Sequence, residues 1–159
     1  MSKTKKEFDV AHLLSLLEAF DDVSYKNDER AAREGNVIVT KAWKYIGKFP
    51  KTEEFWDQIA PLLSHPRKMV RVWIATEMLK GGRKEAWPIF IADLWPHPNR
   101  AQFPREQRNK DFAAESFAST FILMNYQFLD ALDVTPSLSD LEDQWIAEGR
   151  RTRRFPRLS

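Results

Sequence analysis

Cysteine is absent from this chain of 159 residues, and glycine occurs only five times. The lack of cysteine excludes disulfide bonds, thiolate-bound metals and cysteine nucleophiles, and it is typical of a reducing compartment. The sequence contains no phosphate-cradling glycine loop, no Gly-x-Ser-x-Gly elbow and no His-Glu-x-x-His pair. We therefore expect a protein that is not an enzyme and that uses no cofactor and no metal.

Long apolar runs are also missing, because no stretch approaches the roughly 18 apolar residues needed to span a bilayer. The basic first residues precede a charged amphipathic segment, 8–20, rather than the apolar core of a signal peptide. The length and the hydrophobic share of 43% suit one well-buried domain. We expect a cytoplasmic protein with no membrane contact, built as one domain over 8–149 and an Arg-rich tail over 150–159.

The formal net charge of +2 hides a segregation of charge along the sequence. The balance of basic over acidic residues is −2 for 1–34, +5 for 35–100, −6 for 101–148 and +5 for 149–159. Such blocks favour either a dipolar surface that orients a charged partner or neighbouring helices that neutralise one another. The sequence leaves both interpretations open.

Apolar residues recur with the 3.6-residue period of amphipathic helices, and no segment alternates as a strand does. Thr52 is a predicted N-cap, whereas Asp21-Asp22 and Gly81-Gly82 are predicted helix stops. The pattern predicts an all-α fold of about six or seven helices. The predicted segments are 8–20, 25–49, 53–63, 68–79, 84–94, 112–132 and a short helix that ends near 149.

The segment 112–132 is the most apolar of these, with apolar residues on every face. This pattern is typical of a central helix that is covered on several sides. Residues 95–107 contain three prolines and are predicted to form the longest loop. Trp95 and Trp145 at predicted helix ends, together with Phe103 in this loop, are the aromatic residues that we expect to be exposed.

One stretch has the spacing of a structural repeat: a helix that ends in a leucine pair, a His-Pro turn, and a second helix that opens with Val-Arg. The residues are Pro61-Leu62-Leu63, His65-Pro66, Val70-Arg71, Ile74-Ala75 and Met78. This order resembles the unit of HEAT-type helical repeats, with His65 in place of the family's usual aspartate. Because that acid is missing, we expect Arg71 to contact a helix carbonyl terminus or a neighbouring acid. Residues 94–100 form a weaker echo at a spacing of 32.

The resemblance covers about residues 52–95 and implies a right-handed HEAT-like stack, an architecture that usually serves as a binding surface. The chain is also similar to small bacterial HEAT-like proteins of a family of unknown function, some of which are regarded as immunity proteins against toxins. We therefore expect a protein partner, such as a toxin domain that the stack occludes. The residues predicted to bind this partner are Trp95, Phe103, Trp145, Arg67, Lys68 and Arg71.

Nucleic acid is the alternative partner, because basic residues lie near the predicted helix ends with tryptophans between them. The basic set is Lys41, Lys44, Lys48, Lys51, Arg67, Lys68, Arg71, Arg83 and Lys84, and the tryptophans are Trp43, Trp73 and Trp87. The Arg-rich tail would add phosphate contacts.

Two groups of residues, a candidate zinc site and two acidic clusters, also have structural explanations. A zinc site from His65, His97 and Asp93 would need the two His-Pro turns to share one edge of the stack, but such turns recur in helical repeats for structural reasons. The acidic clusters at 53–57 and 140–143 match the acidic first turns that helix dipoles favour. We assign both groupings to structure rather than to chemistry.

Overall fold

The computed structural model describes residues 7–156, and every regular element within that range is helical. The N-terminal residues 1–6, which include Lys3, Lys5 and Lys6, and residues 157–159 of the predicted tail lie outside it. The predicted all-α fold of about six or seven helices is confirmed, although the HEAT-type repeat stays a prediction. In this part of the chain no helix is long and apolar enough to cross a membrane. The seven helices are α1 (Val10–Ser24), α2 (Glu29–Gly47), α3 (Glu53–Ile59), α4 (Lys68–Lys80), α5 (Trp87–Ala92), α6 (Arg105–Asp130) and α7 (Leu138–Ala147).

Local capping sets several helix ends where the sequence places them. The Thr52 hydroxyl accepts a hydrogen bond from the Phe55 N–H at 3.1 Å, which satisfies a free donor at the start of α3. Helix α4 begins at Lys68, as predicted, and the chain leaves it at Gly81 and Gly82. The φ of Gly82 is +80°, a left-handed conformation in which glycine avoids steric strain.

Besides helix α2, which begins at Glu29 after the Asp28 cap rather than near residue 25, two predicted helix boundaries are wrong. Helix α1 does not stop at Asp21 but continues to Ser24, because the buried Asp21 carboxylate lies 3.4 Å from the Arg67 guanidinium and needs no solvent. Helix α6 begins at Arg105 rather than near residue 112. Pro104 precedes it with a φ of −54°, which suits the start of a helix, and shortens the predicted loop.

Helix α4 is the centre of the molecule, since eleven of its thirteen residues are buried. It packs against α1, α5 and α6, while α1 also pairs with α2. The prediction that segment 112–132 is covered on several sides is therefore wrong. Its residues Phe112, Met124 and Phe128 are 65%, 66% and 43% exposed.

The two His-Pro turns have the same local geometry. His65 Nδ1 accepts the Arg67 N–H at 3.0 Å, and His97 Nδ1 accepts the Asn99 N–H at 3.0 Å. The Arg71 guanidinium donates to the His65 and Pro66 carbonyls at 2.8 and 3.1 Å and forms two bonds of 3.0 Å with Asp93. The predicted contacts of Arg71 with a carbonyl terminus and a neighbouring acid are thus both confirmed.

The described part of the Arg-rich tail, up to residue 156, packs onto α7. Phe155 is buried, and its N–H donates to the buried Glu142 carboxylate at 2.7 Å. Arg154 pairs with Asp143 and lies 3.6 Å from Glu142. These contacts support the interpretation in which adjacent basic and acidic segments neutralise one another.

Gly81 gives a test of core packing, because a Cβ atom there would lie 2.3 Å from Cζ2 of the buried Trp56 ring. We expect Gly81→Ala to lower the free energy of unfolding by about 1–3 kcal/mol through overpacking. Gly35→Ala is the control: its Cβ would make an ordinary contact of 3.6 Å with Phe20 inside α2. Because alanine favours helices more than glycine does, the free energy of unfolding of this variant should rise by about 0.5–1 kcal/mol. Urea unfolding measures both, and equal stability of the two variants would contradict the packing argument.

Candidate functional site

An open groove runs between α2 and α6, with a volume of about 460 Å³. Its apolar floor is formed by Phe20, Met69, Phe117 and Phe121, contributed by α1, α4 and α6. Phe20 and Phe117 pack edge to face with ring centroids 6.1 Å apart, so the floor is held by core contacts. The groove is therefore an apolar recess whose shape is fixed by the core beneath it.

Trp43 of α2 lines this groove and is 41% exposed. Its indole N–H donates to the Glu77 carboxylate at 2.8 Å, and Glu77 is in turn paired with Lys80 at 2.7 Å. This hydrogen bond fixes the indole ring. A large, rigid aromatic side chain that is partly open to solvent is typical of an interface anchor.

The apolar surface continues along α6 beyond the groove. Phe112 lines an adjoining depression of about 480 Å³ that shares Ser24, Lys26 and Ser116 with the groove. Sequence reasoning missed this surface because it assigned the apolar residues of α6 to the core. The available signal was that a helix with apolar residues on every face needs covering elements on every side.

The outward face of α2 beside the groove carries four cations, Arg33, Lys41, Lys44 and Lys48, which we call the basic ridge. All four are exposed, and none forms an ion pair within residues 7–156. Arg33 and Lys44 directly follow the groove-lining residues Ala32 and Trp43 in the sequence, and a further cation, Lys26 just before α2, lines the groove itself. The rim of the groove is thus positively charged along α2.

The predicted partner-binding residues gather at the opposite side of α4. Trp95, Phe103, Lys68 and Arg71 line one polar pocket of about 420 Å³, and Arg67 lines an adjoining pocket of about 400 Å³. Trp145 does not line either pocket, and the prediction that it is exposed is wrong, since it is 2% exposed. It lies on the buried face of α7 and packs against Trp95 at a centroid distance of 5.2 Å.

The cations that line these polar pockets are occupied by contacts within the chain. Arg67 binds Asp22 at 2.9 Å, while buried Lys68 binds Glu115 at 2.6 Å and the Trp95 carbonyl at 2.9 Å. Arg100 also pairs with Glu115. These ion pairs join α1, α4 and α6 with the loop before α6, so the pocket marks a structural junction rather than an open recognition surface.

Burial changes the ionisation of this junction. The pKa of the Lys68 ammonium falls from its ordinary 10.5 to about 8 because burial disfavours its charge, although the carboxylates of Asp93 and Asp111 act in the opposite direction. Burial also raises the pKa of Asp111, and the nearby Lys68 opposes that change. The protonation of both groups is therefore tied to the folded packing.

The other candidate groups have structural partners. Within residues 7–156 no cluster of three or more histidines and carboxylates could hold a metal ion. Asp57 and Glu53 pair with Arg83 at 2.9 and 3.3 Å, and the buried Glu142 contacts the Tyr126 hydroxyl.

The basic residues predicted to bind nucleic acid fall into two groups. Lys51 donates to the carbonyls of Ile46 and Phe49 at the end of α2, and Arg83 is held by ion pairs, as are Arg67, Lys68 and Arg71. Trp73 and Trp87 are buried, so their predicted role as interleaved stacking residues is wrong. Trp43, Lys84 and the three lysines of the basic ridge remain exposed, and Lys84 also lies 3.7 Å from the Asp133 carboxylate.

Fold and site together define an all-helical protein with an open apolar groove flanked by cations. The chain matches no protein-family model, no curated protein and no solved structure.

Proposed function

We propose that the chain is a non-catalytic protein-binding module that uses the α2–α6 groove as its binding surface. The observation that carries this proposal is the solvent-open apolar recess beside the fixed, exposed ring of Trp43. Contiguous exposed apolar surface of this kind marks interaction sites, because its burial by a partner is favourable by roughly 25 cal/mol per Å². A preformed groove also keeps the entropic cost of binding low.

The concrete form of the proposal is a bacterial immunity protein that occludes a toxin domain. Its support is the resemblance of residues 61–78 to a HEAT-type repeat unit, together with the apolar groove beside Trp43. In this form the rigid helical surface covers the toxin's active site, and a few apolar anchors in the groove supply the affinity. The expected gene neighbour encodes a large secreted protein with a variable C-terminal domain, and an unrelated neighbourhood would argue against the immunity form.

A groove-blocking variant tests the binding surface. Ser116 is exposed and lines the groove, so Ser116→Arg should fill it without disturbing the core. We expect its affinity for the purified C-terminal domain of the neighbouring toxin to fall roughly a hundredfold, as for loss of a central anchor. The measurement is isothermal titration calorimetry.

Gln58→Arg is the matched control, because it adds the same charge at an exposed position of α3 outside the groove. Its affinity should stay within about twofold of the wild type. A toxin domain that binds both variants equally well would show that the groove is not the binding surface.

Nucleic-acid binding is the second candidate function, and the unpaired cations of the basic ridge favour it. It predicts that the chain binds random DNA near 50 mM salt and that the affinity falls steeply as the salt concentration rises. The slope of the logarithm of affinity against the logarithm of salt concentration should be roughly proportional to the number of phosphates contacted. A fluorescence titration against salt measures this. Absence of any salt-sensitive affinity would remove this candidate.

A further inference from the structure

The apolar groove and the basic ridge lie side by side on one helix. We infer that the partner presents an acidic amphipathic helix, whose apolar face enters the groove and whose carboxylates lie against the basic ridge. This inference rests on the proposed function and adds the chemical class of the partner.

The charge of the ridge is the first argument. Most other cations of the core region, such as Arg67, Arg71 and Arg83, are satisfied by carboxylates of the same chain. The four ridge cations are exposed without such pairs in the described residues. On the same helix Glu34 is already paired with Arg30, and Glu29 lies in the first turn, where the helix dipole favours it. The ridge therefore presents surplus positive charge to a partner.

The opposite wall of the groove adds no competing negative charge. The residues that α6 contributes to the lining are Ala113, Ser116, Phe117, Thr120 and Phe121, all of them uncharged. A partner with carboxylates on its flank would meet cations on one side and neutral atoms on the other. A basic partner would be repelled by the ridge.

The shape of the recess selects a helix among the usual peptide conformations. The described chain has no strand, so it offers no sheet edge to which an extended peptide could add. The lining of α2 runs from Ala31 to Trp43, about three helical turns or roughly 18 Å. Two to three turns of an amphipathic helix fit this length and would place apolar side chains at i, i+3 or i+4, and i+7 over the floor.

The same geometry disfavours nucleic acid as the occupant of the groove. Bases stack on aromatic faces that are open to solvent. Here the phenyl rings of Phe20, Phe117 and Phe121 form the floor of a recess, and only Trp43 stands at its rim. Insertion of aliphatic or aromatic side chains into an apolar recess is energetically favourable, because it removes their surface from water.

Three stapled, fluorescein-labelled helical peptides of about three turns test the inference with the full chain. They share the same leucine face and carry glutamate, glutamine or lysine on both flanks. Fluorescence anisotropy at 50 mM sodium chloride should give an affinity order of glutamate, glutamine, lysine, with steps of roughly tenfold. At 300 mM the advantage of the glutamate peptide should shrink to about threefold, because salt screens exposed charges.

Variants separate the ridge from the groove. The triple variant Lys41→Gln, Lys44→Gln, Lys48→Gln should bind the glutamate peptide roughly tenfold more weakly and the glutamine peptide unchanged. Lys84→Gln is the control, since Lys84 is also exposed but lies before α5, and it should alter each affinity by less than about twofold. Ser116→Arg should weaken all peptides that bind.

The outcomes distinguish the two proposals. Equal binding of the glutamate and glutamine peptides, with loss of both in Ser116→Arg, would overturn the acidic partner and support protein binding in the groove. No binding of any peptide would count against both. Salt-sensitive binding of single-stranded DNA to wild type and to Ser116→Arg alike, without any preference for the glutamate peptide over the lysine peptide, would overturn the acidic helix in favour of nucleic acid on the ridge.

Discussion

Replacement of Glu115 by leucine is expected to lower the free energy of unfolding by about 3–5 kcal/mol. The Glu115 carboxylate lies between two cations, buried Lys68 at 2.6 Å and the guanidinium of Arg100. Its removal leaves Lys68 without its nearest counter-charge in a buried site. The cost arises from that uncompensated charge rather than from the worth of one ion pair.

Glu106→Leu is the matched control, because Glu106 is an exposed acid on the same helix and pairs with Lys110 at 3.2 Å across one turn. Exposed pairs of this kind contribute only about 0–1 kcal/mol. Denaturant unfolding of both variants at neutral pH compares them directly. If Glu115→Leu were no less stable than Glu106→Leu, the buried junction would not hold α4 to α6 as described.

The second large effect is a dependence of stability on alkaline pH. The pKa of Lys68 is about 8 in the folded protein and 10.5 in its ordinary, unfolded surroundings. Below pH 8 both states are protonated, and the folded state bears the full cost of a buried charge. Between pH 8 and 10.5 the unfolded chain binds a proton that the folded protein has lost, so the Lys68 contribution to stability rises with pH. The gain is about 3 kcal/mol when the whole interval is crossed.

Lys68→Met isolates this contribution from other groups that titrate in the same interval. The variant keeps Glu115 paired with Arg100, so the junction retains one ion pair. Unfolding free energies of wild type and variant at pH 7.5 and pH 10 give the comparison. We expect the free energy of unfolding of the wild type to rise, relative to that of Lys68→Met, by most of about 3 kcal/mol between these two pH values. A difference that stays constant with pH would contradict the lowered pKa.

Much of the fold could be predicted because it follows from short-range chemistry. Thr52, Gly82 and the proline of the first His-Pro turn act within one helical turn, and the helix boundaries at these places are correct. Asp21 could not be placed in the same way. Its neighbour Arg67 is 46 residues away in sequence, and a buried ion pair at that separation leaves no local pattern.

In the candidate site, too, the features set by short-range chemistry could be predicted and those set by distant residues could not. Five of the six predicted partner-binding residues lie around the polar pockets, since the His-Pro turns bring residues 65–71 and 93–103 together. Their availability to a partner was not predictable, because residues such as Glu115 and Asp93 that occupy their charges belong to other helices. The exposed face of α6 was missed because apolar composition indicates the tendency to be buried, and not whether a covering helix exists.

The position of Trp43 also allows occupation of the groove to be measured by tryptophan fluorescence. The chain has six tryptophans, and Trp43 is the most solvent-exposed of them. The other five are buried or half-buried, so a water-soluble quencher such as iodide reaches chiefly the indole at the groove. Occupation of the groove would shield that ring and leave the remaining emission unchanged, which gives binding experiments a reporter without any added label.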